Sequence, residues 1–193
     1  MAEAPPAGLA PVRIEEKLHR RFPDVPFLRQ EGEAVRDHTL FVPDDRLGDA
    51  CTFLRDDPEL AFTMLVSVAG VDYLPRDPRF EVVYHLLSIP HHARVVLKVQ
   101  LGDERPRVPS VTGVWPTADW LEREQYDFYG IVFTGHPDLT RILLPETWAG
   151  WPLRKDAPLG YQEVAFTHNT PDRMKPDPDL KKLAPKKVQY RAH

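Results

Sequence analysis

Cysteine is almost absent from this chain of 193 residues, which contains Cys51 and no other. One thiol excludes an intrachain disulfide, a four-cysteine zinc site and an iron–sulfur cluster held by this chain alone, because each needs several sulfur ligands. The motifs GxGxxG and GxxxxGK[ST] are also missing, so the usual backbone sites for nucleotide phosphates are not predicted. The residues therefore predict no bound redox cofactor.

Long apolar runs are missing as well. The longest weakly polar stretch, residues 60–71, is about twelve residues long, whereas a membrane-spanning helix needs roughly twenty. The N-terminus shows no basic segment followed by an apolar one, so no export signal is predicted. With 42% hydrophobic residues and a net charge of -4, we expect a globular, soluble, cytosolic chain without a nucleic-acid partner.

Charge and proline are distributed unevenly along the chain. From Tyr161 onward, seven Lys and Arg residues stand against four acidic residues, while the preceding 160 residues carry a net charge of -7. The last segment also holds four prolines without apolar periodicity, so it cannot bury enough surface to fold alone. We predict one domain over 1–160 and an extended, basic, proline-rich tail over 161–193, either solvated or ordered on a partner.

Two helices are predicted in the first third of the chain. Apolar residues recur every four positions over 14–22 in a charged stretch, which is one face of an amphipathic helix closed by Pro23. Asp44 or Asp45 then offers an N-cap for a second helix, whose apolar side includes Cys51. We therefore expect Cys51 in the core.

Strand patterns follow at four places. Residues 34–42 read as a strand, and the uncharged run 62–71 reads as a central strand buried on both faces. Residues 80–86 and 95–101 alternate in polarity, which predicts an antiparallel hairpin turning at 89–93. These elements predict an α+β fold with two layers, in which helices cover a mainly antiparallel sheet and an extended C-terminal tail follows.

A third helix is predicted after Pro116, with Thr117 as N-cap and Gly130 as a left-handed residue at its end. At about 100° per residue, one arc of this helix should face the sheet. That arc holds Leu121, Tyr126, Phe128 and Tyr129, with Glu122 at its edge. The opposite arc, expected to be exposed, holds Trp120, Arg123, Glu124 and Asp127. A tryptophan among charged residues is unusual on an exposed face.

Histidine occurs eight times, which raises the question of a metal site. His91 and His92 stand at the hairpin turn and His85 on the preceding strand. Adjacent histidines point apart, and no third ligand stands at a suitable spacing. We therefore predict no bound metal.

Acidic residues on the third helix raise the question of catalysis. Glu122, Glu124 and Asp127 could supply an acid and a base of separated pKa, as hydrolases require, and His136 could act with them. No nucleophile motif such as GxSxG accompanies them. A surface salt-bridge lattice, or an acidic face for a basic partner, is the favoured interpretation, and a stand-alone hydrolase is a remote alternative.

Residues 147–160 read TWAGWPLRKDAPLG and combine aromatic, basic and proline residues. Large aromatic side chains beside arginine in an irregular segment are typical of interface anchors. Packing of Trp148 and Trp151 on their own domain is an equally good interpretation.

Three blocks together resemble a known family. Residues 122–133, EREQYDFYGIVF, and 136–143, HPDLTRIL, match the pattern ERExYDxxGIxFxxHPxLxRIL, and residues 150–158, GWPLRKDAP, match GxPLRKDxP. The chain resembles the 30 kDa subunit of respiratory complex I over residues 65–160.

The resemblance implies a structural, non-redox subunit in the peripheral arm of a proton-translocating NADH:quinone oxidoreductase. Its implied partners are other complex I subunits, chiefly the 49 kDa quinone-site subunit, and its implied location is peripheral, on the cytoplasmic side of the cell membrane. The resemblance also implies that FMN, iron–sulfur clusters, NADH and quinone are bound by other subunits. The equivalent subunit of a plastoquinone-linked dehydrogenase or a membrane-bound hydrogenase is the alternative.

The resemblance implies no catalytic or metal-binding residue in this chain. Trp151 and Ala157 stand where the family favours His or Phe and an aromatic residue, respectively, which alters local packing. The predicted partner-interface residues are Trp120, Glu122, Arg123, Glu124, Asp127, His136, Arg141, Trp148, Trp151, Arg154, Lys155 and Asp156.

Overall fold

The computed structural model describes residues 11–30 and 38–157. The chain divides into two units, Met1–Lys155 and Asp156–His193, and all described helices and strands lie in the first. The predicted domain end at residue 160 and the predicted tail over 161–193 lie outside the described residues. No helix within the described ranges combines the length and the hydropathy needed to cross a bilayer.

The described residues form three helices and seven strands. The helices are α1 (Pro11–Arg21), α2 (Leu47–Asp56) and α3 (Ala118–Tyr129). The strands are β1 (Leu28–Arg29), β2 (His38–Phe41), β3 (Met64–Asp72), β4 (Phe80–Ser88), β5 (Ala93–Leu101), β6 (Arg107–Pro109) and β7 (Val132–Thr134). Five strands form one sheet in the order β1-β2-β5-β4-β3, in which all neighbours are antiparallel except β2 and β5. β6 and β7 form a second, two-stranded sheet. The predicted α+β fold with a mainly antiparallel sheet is confirmed.

The core lies between one face of this sheet and the helices. β4 and β5 form the predicted hairpin, paired without interruption from Phe80 opposite Leu101 to Ser88 opposite Ala93. Alternate β4 and β5 side chains share one apolar cluster with residues of α1 and α2, as the period of two predicted. Cys51 is fully buried in that cluster, as predicted, and its burial raises the pKa of the thiol.

β3 lies at an edge of the sheet, so the prediction of a central strand over 62–71 was wrong. Leu65 and Val68 are buried, whereas Met64 and Val66 are exposed. Uncharged edge strands invite pairing with other chains unless something covers them. Here α3 packs along β3 and covers this edge of the sheet. An uncharged strand is therefore tolerated at the edge and does not require a central position.

The predicted helix ends are confirmed at some positions and not at others. Gly130 ends α3 in the left-handed conformation (φ 70°), as predicted. A 3-10 turn, Asp44–Arg46, precedes α2, and no side chain caps α2 or α3 at the N-terminus. Of the predicted strand over 34–42, residues 38–41 form β2 and residues 31–37 are outside the described ranges.

Candidate partner interface

Helix α3 lies alongside β3 and runs in the same direction. Just before α3, the indole N–H of Trp115 donates to the carbonyl of Phe62, with 3.2 Å between nitrogen and oxygen. Farther along, the side-chain amide of Gln125 donates to the carbonyl of Val68 (3.1 Å) and accepts the backbone N–H of Gly70 (2.7 Å). Gln125 thereby makes hydrogen bonds that another strand would make at this edge.

Asp127 is fully buried and joins α3 to the segment that follows β7. Its Oδ2 accepts the backbone N–H groups of Ile142, Leu143 and Leu144 at 3.2, 2.8 and 2.9 Å, and its Oδ1 accepts Nη1 of Arg141 at 2.9 Å. Burial alone would raise the pKa of this carboxyl. These hydrogen bonds favour the charged form and hold the pKa below its ordinary value.

Trp151 fills the space between α3 and that segment. The guanidinium groups of Arg141 and Arg154 lie over its ring at 4.6 and 5.9 Å, and Tyr126 meets it edge-on at 5.2 Å. Gly130 lies so close that an added Cβ would overlap the indole. We call the four residues Asp127, Arg141, Trp151 and Arg154, which join α3 to this segment, the clamp.

The residues after Trp151 continue along the C-terminal end of α3. Nε of Arg154 donates to the carbonyl of Tyr129 (2.6 Å), and the backbone N–H of Lys155 donates to Oδ2 of Asp72 (2.8 Å). Burial would raise the pKa of Asp72. The bidentate pair with Arg79, at 3.0 and 2.8 Å, and the Lys155 bond outweigh burial and lower that pKa to about 2.

Glu122 is fully buried on the opposite side of α3. Its carboxyl group accepts the hydroxyl of Ser110 (2.6 Å) and the backbone N–H of Val111 (2.8 Å). Burial raises the pKa of Glu122 to about 7, with a further contribution from Asp119, although the two hydrogen bonds oppose the shift. This carboxyl therefore ties α3 to the residues after β6.

His136 is also internal, and its side chain has no exposed surface. Nδ1 accepts the backbone N–H of Asp138 (3.1 Å), so Nε2 carries the proton and donates to the carbonyl of Asp119 (3.2 Å). Glu122 and His136 thus bind different partners inside the chain, and neither side chain is exposed. The structure does not bring them together with Glu124 as an accessible acid–base site.

The segment that wraps α3 runs from the end of β7 to residue 155. Four large apolar side chains on α3 or on this segment remain exposed: Trp120, Leu143, Trp148 and Leu153. Trp120 is the most exposed of them, at 64%. The guanidinium of Arg123 lies 5.1 Å from its ring, and Arg123 itself donates to the carbonyl and hydroxyl of Thr140 at 3.1 and 2.8 Å. Arg123 therefore contacts one side of the Trp120 ring, while most of the Trp120 side chain faces solvent.

The predicted interface residues divide into two groups. Those bound inside the chain are Glu122, Asp127, His136, Arg141, Trp151 and Arg154. Those that reach the surface are Trp120, Arg123, Glu124, Trp148, Lys155 and Asp156. The prediction that Asp127 lies on an exposed arc was wrong, because the segment after β7 covers that side of α3. Sequence analysis also missed Gln125 and Asp72, whose partners are distant in the chain.

Two other polar features, His85 and a polar cleft, have partners inside the chain. Within the described residues, no group of three or more His, Cys, Asp and Glu side chains could hold a metal ion. His85 shares a hydrogen bond with the hydroxyl of Ser67 (2.9 Å). A polar cleft of ≈ 100 Å³ opens beside Tyr73, but its buried Glu81 is already paired with Lys98 at 2.8 Å.

The sequence matches a family pattern and many named relatives. The family described as "Respiratory-chain NADH dehydrogenase, 30 Kd subunit" matches residues 40–163. An NADH-quinone oxidoreductase subunit from Roseiflexus sp. (strain RS-1) is 53% identical over 156 residues, which cover 81% of this chain and 88% of that protein. The subunit of the same name from Herpetosiphon aurantiacus is 49% identical over 81% of this chain and 89% of its own length.

Solved structures show the same fold. The trypsin-resistant fragment (1-134) of Nqo5 is 36% identical, with a TM-score of 0.55 over 66% of this chain and 99% of that one. A chain of the membrane-bound sulfane sulfur reductase, an archaeal respiratory membrane complex, has a TM-score of 0.58 at 22% identity, which shows the fold alone. The family match and the relatives agree with the blocks that build the clamp. The chain belongs to the family of the 30 kDa subunit of respiratory-chain NADH dehydrogenase.

Proposed function

We propose that this chain is a structural, non-redox subunit of the peripheral arm of a proton-translocating NADH:quinone oxidoreductase. It packs beside the 49 kDa quinone-site subunit, on the cytoplasmic side of the membrane, and electron transfer takes place on other subunits. The observation that carries the proposal is that the family blocks and the residues next to them divide into the internal clamp and an exposed apolar set, Trp120, Leu143, Trp148 and Leu153.

The clamp supports a holding role. Its charged side chains bind each other, backbone groups and an indole ring, so they fix the segment after β7 on α3. Groups used in this way are not available to a substrate. Their contribution is to give one fixed shape to a surface that other polypeptides contact.

The exposed apolar set supports a partner role. Tryptophan and leucine side chains left in solvent at one helix and its wrapping segment are typical of surfaces that are buried in an assembly. Tryptophan is enriched among the residues that contribute most to binding energy. This set is the part of the surface that we assign to contacts with the quinone-site subunit and its neighbours.

The cofactor chemistry of the chain supports the non-redox assignment. Iron–sulfur clusters require several thiolates, and the sequence contains Cys51 alone, which is buried in the core. We assign FMN, the iron–sulfur clusters, NADH and quinone to the other subunits of the complex.

Co-purification from native membranes tests this function. A tag on the quinone-site subunit should recover this chain in a one-to-one ratio with an NADH-oxidising assembly, as measured by quantitative mass spectrometry. The full chain produced alone should contain no flavin absorbance and no iron. A chain that never accompanies the quinone-site subunit, or that carries a tightly held redox group, would refute the proposal.

A further inference from the structure

Trp120 is a surface aromatic side chain whose rotamers are restricted by a contact with Arg123. The Arg123 guanidinium over its ring is itself bonded to Thr140, in the segment that wraps α3. An immobilised side chain loses little rotamer entropy when a partner binds, so more of its contact energy appears as affinity. Trp120 therefore has the properties of a pre-positioned anchor.

Glu124 lies one helical turn after Trp120, and residues four apart in a helix stand about 5–6 Å apart at Cβ. Within the described residues, Glu124 makes no side-chain hydrogen bond and no ion pair. The neighbouring Arg123 donates to Thr140 and to the carbonyl of Arg141 instead. The face of α3 that carries Trp120 thus also carries a carboxylate with unused capacity for a cation.

Trp120 and Glu124 lie on a face of α3 that is turned away from β3. Gln125, which binds Val68 and Gly70 of β3, stands about 140° around the helix from Trp120. An aromatic ring and a carboxylate on one exposed face together fit a basic side chain, because its methylene groups need apolar cover and its charge needs a counter-charge.

We propose that Trp120 and Glu124 receive a Lys or Arg side chain from a neighbouring subunit, which stacks on the indole face opposite Arg123 and binds the Glu124 carboxylate. Two cations at one tryptophan are compatible, because Trp151 in the same chain has the guanidinium groups of Arg141 and Arg154 over its ring. This inference rests on the proposed function and names the chemistry of one contact within it.

Competitive assembly tests the contact in the complete complex. Cells express the wild-type chain and one variant with different tags, the complex is purified through its flavin-containing subunit, and mass spectrometry gives the incorporation ratio. Trp120→Ala and Glu124→Arg should each be depleted about tenfold, and Glu124→Gln about threefold, as expected for loss of an aromatic anchor, a repelled cation and a lost ion pair. Glu16→Gln, a change at an exposed acid of α1, is the matched control and should be incorporated equally.

The outcomes separate this inference from the proposed function. If Glu124→Arg is incorporated as well as the wild type, or better, the occupant is not basic and the inference is wrong. If Trp120→Ala alone is depleted, the anchor contacts an apolar group, which also overturns the basic occupant. If the wild-type chain itself is missing from the complex, the proposed function fails. Thermal unfolding of each full-length variant checks that its fold is unchanged.

Discussion

Asp127 accepts hydrogen bonds from four residues that lie 14 to 17 positions later in the chain. One oxygen takes three backbone N–H groups, and the other takes the guanidinium of Arg141. Hydrogen bonds to a charged acceptor are roughly twice as strong as neutral ones. The segment that supplies them is neither helix nor strand, so the carboxylate replaces the partners that regular secondary structure would offer.

Asp127→Asn is expected to lower the free energy of unfolding by about 3 kcal/mol, because an amide nitrogen would face Arg141 and leave that guanidinium without its counter-charge. Urea unfolding of the full chain measures the change. Asp138→Asn, at an exposed acid of the same segment, is the control and should stay within about 0.5 kcal/mol of the wild type. Equal stability of the Asp127 variant and the wild type would contradict the role of this carboxylate.

Glu122 is a buried carboxyl group that behaves in the opposite way, with a pKa raised from 4.5 to about 7. The folded state binds this proton more tightly than the unfolded state, so the free energy of unfolding falls as pH rises between the two pKa values. The stabilising contribution is complete below about pH 4.5 and is lost above about pH 7. Its size is about 3 kcal/mol from the difference in pKa.

Glu122→Gln should remove this pH dependence. The amide oxygen can accept the N–H of Val111, and the amide nitrogen can donate to Ser110, whose own proton can turn to Thr112. Urea unfolding between pH 5 and pH 8 should show similar stabilities at pH 5 and a more stable variant at pH 8, by up to about 3 kcal/mol. Glu16→Gln serves as the control with an unchanged profile. A variant that loses stability with pH as steeply as the wild type would show that another group titrates.

Sequence patterns identified the important stretch of α3 but not the direction of every side chain. Trp120 was predicted to be exposed and is, whereas Asp127 was predicted to be exposed and is fully buried. A helical wheel assumes one packing face, but α3 contacts β3 on one side and the segment after β7 on another. The path of that segment depends on bonds between distant residues, which local periodicity does not encode.

The C-terminal end of α3 and the indole of Trp151 pack closely against each other. Gly130 combines a left-handed backbone with contact to that ring. A side chain here would meet two obstacles, the unfavourable φ and the indole. The glycine of the family pattern therefore has a packing reason in addition to its role in ending the helix.

Gly130→Ala is expected to lower the free energy of unfolding by about 2 kcal/mol or more, from backbone strain and overpacking together. In a Trp151→Ala background the same change should cost only about 1 kcal/mol, because the strain remains and the ring is gone. Gly113→Ala, at a glycine with no neighbour within 4 Å of an added Cβ, is the control. Additive effects of the two substitutions in urea unfolding would show that the glycine and the ring do not interact.

Strands with one buried face, β4 and β5, were predicted correctly. The position of β3 in the sheet was predicted wrongly, because a helix takes the place of a neighbouring strand. The alternation of β4 and β5 identified the hairpin and its buried face, because a period of two reports burial directly. The uncharged run of β3 suggested a central strand, but its partner on one side is the Gln125 amide of α3. The short strands β6 and β7 were missed, since three residues are too few to show a period.

The family blocks, although separated in the sequence, pack against each other in the fold. Residues 122–143 supply most of α3 and the first part of the segment that wraps it, and residues 150–155 return to the end of the same helix. The resemblance could be found from the sequence because these blocks are contiguous. The division of their residues into an internal set and a surface set could not be predicted from the sequence, because it depends on which side chains the wrapping segment covers. Two tryptophans three positions apart belong to different sets.

Trp148 and Trp151 therefore provide the sharpest test of that division. Trp151→Ala should lower the free energy of unfolding of the full chain by about 3 kcal/mol, because a ring packed on α3 is lost. Trp148→Ala should lower it by only about 1 kcal/mol, because 40% of that residue is exposed and less packing is lost. Competitive assembly should not follow the order of the stability effects, because Trp148→Ala should be depleted from the complex although its fold is intact. Depletion of Trp151→Ala should disappear at temperatures where its fold is fully populated, whereas depletion of Trp148→Ala should persist. If Trp148→Ala is incorporated equally at every temperature, that tryptophan is not part of the partner surface, and contact must rest on the other exposed side chains of α3 and its wrapping segment.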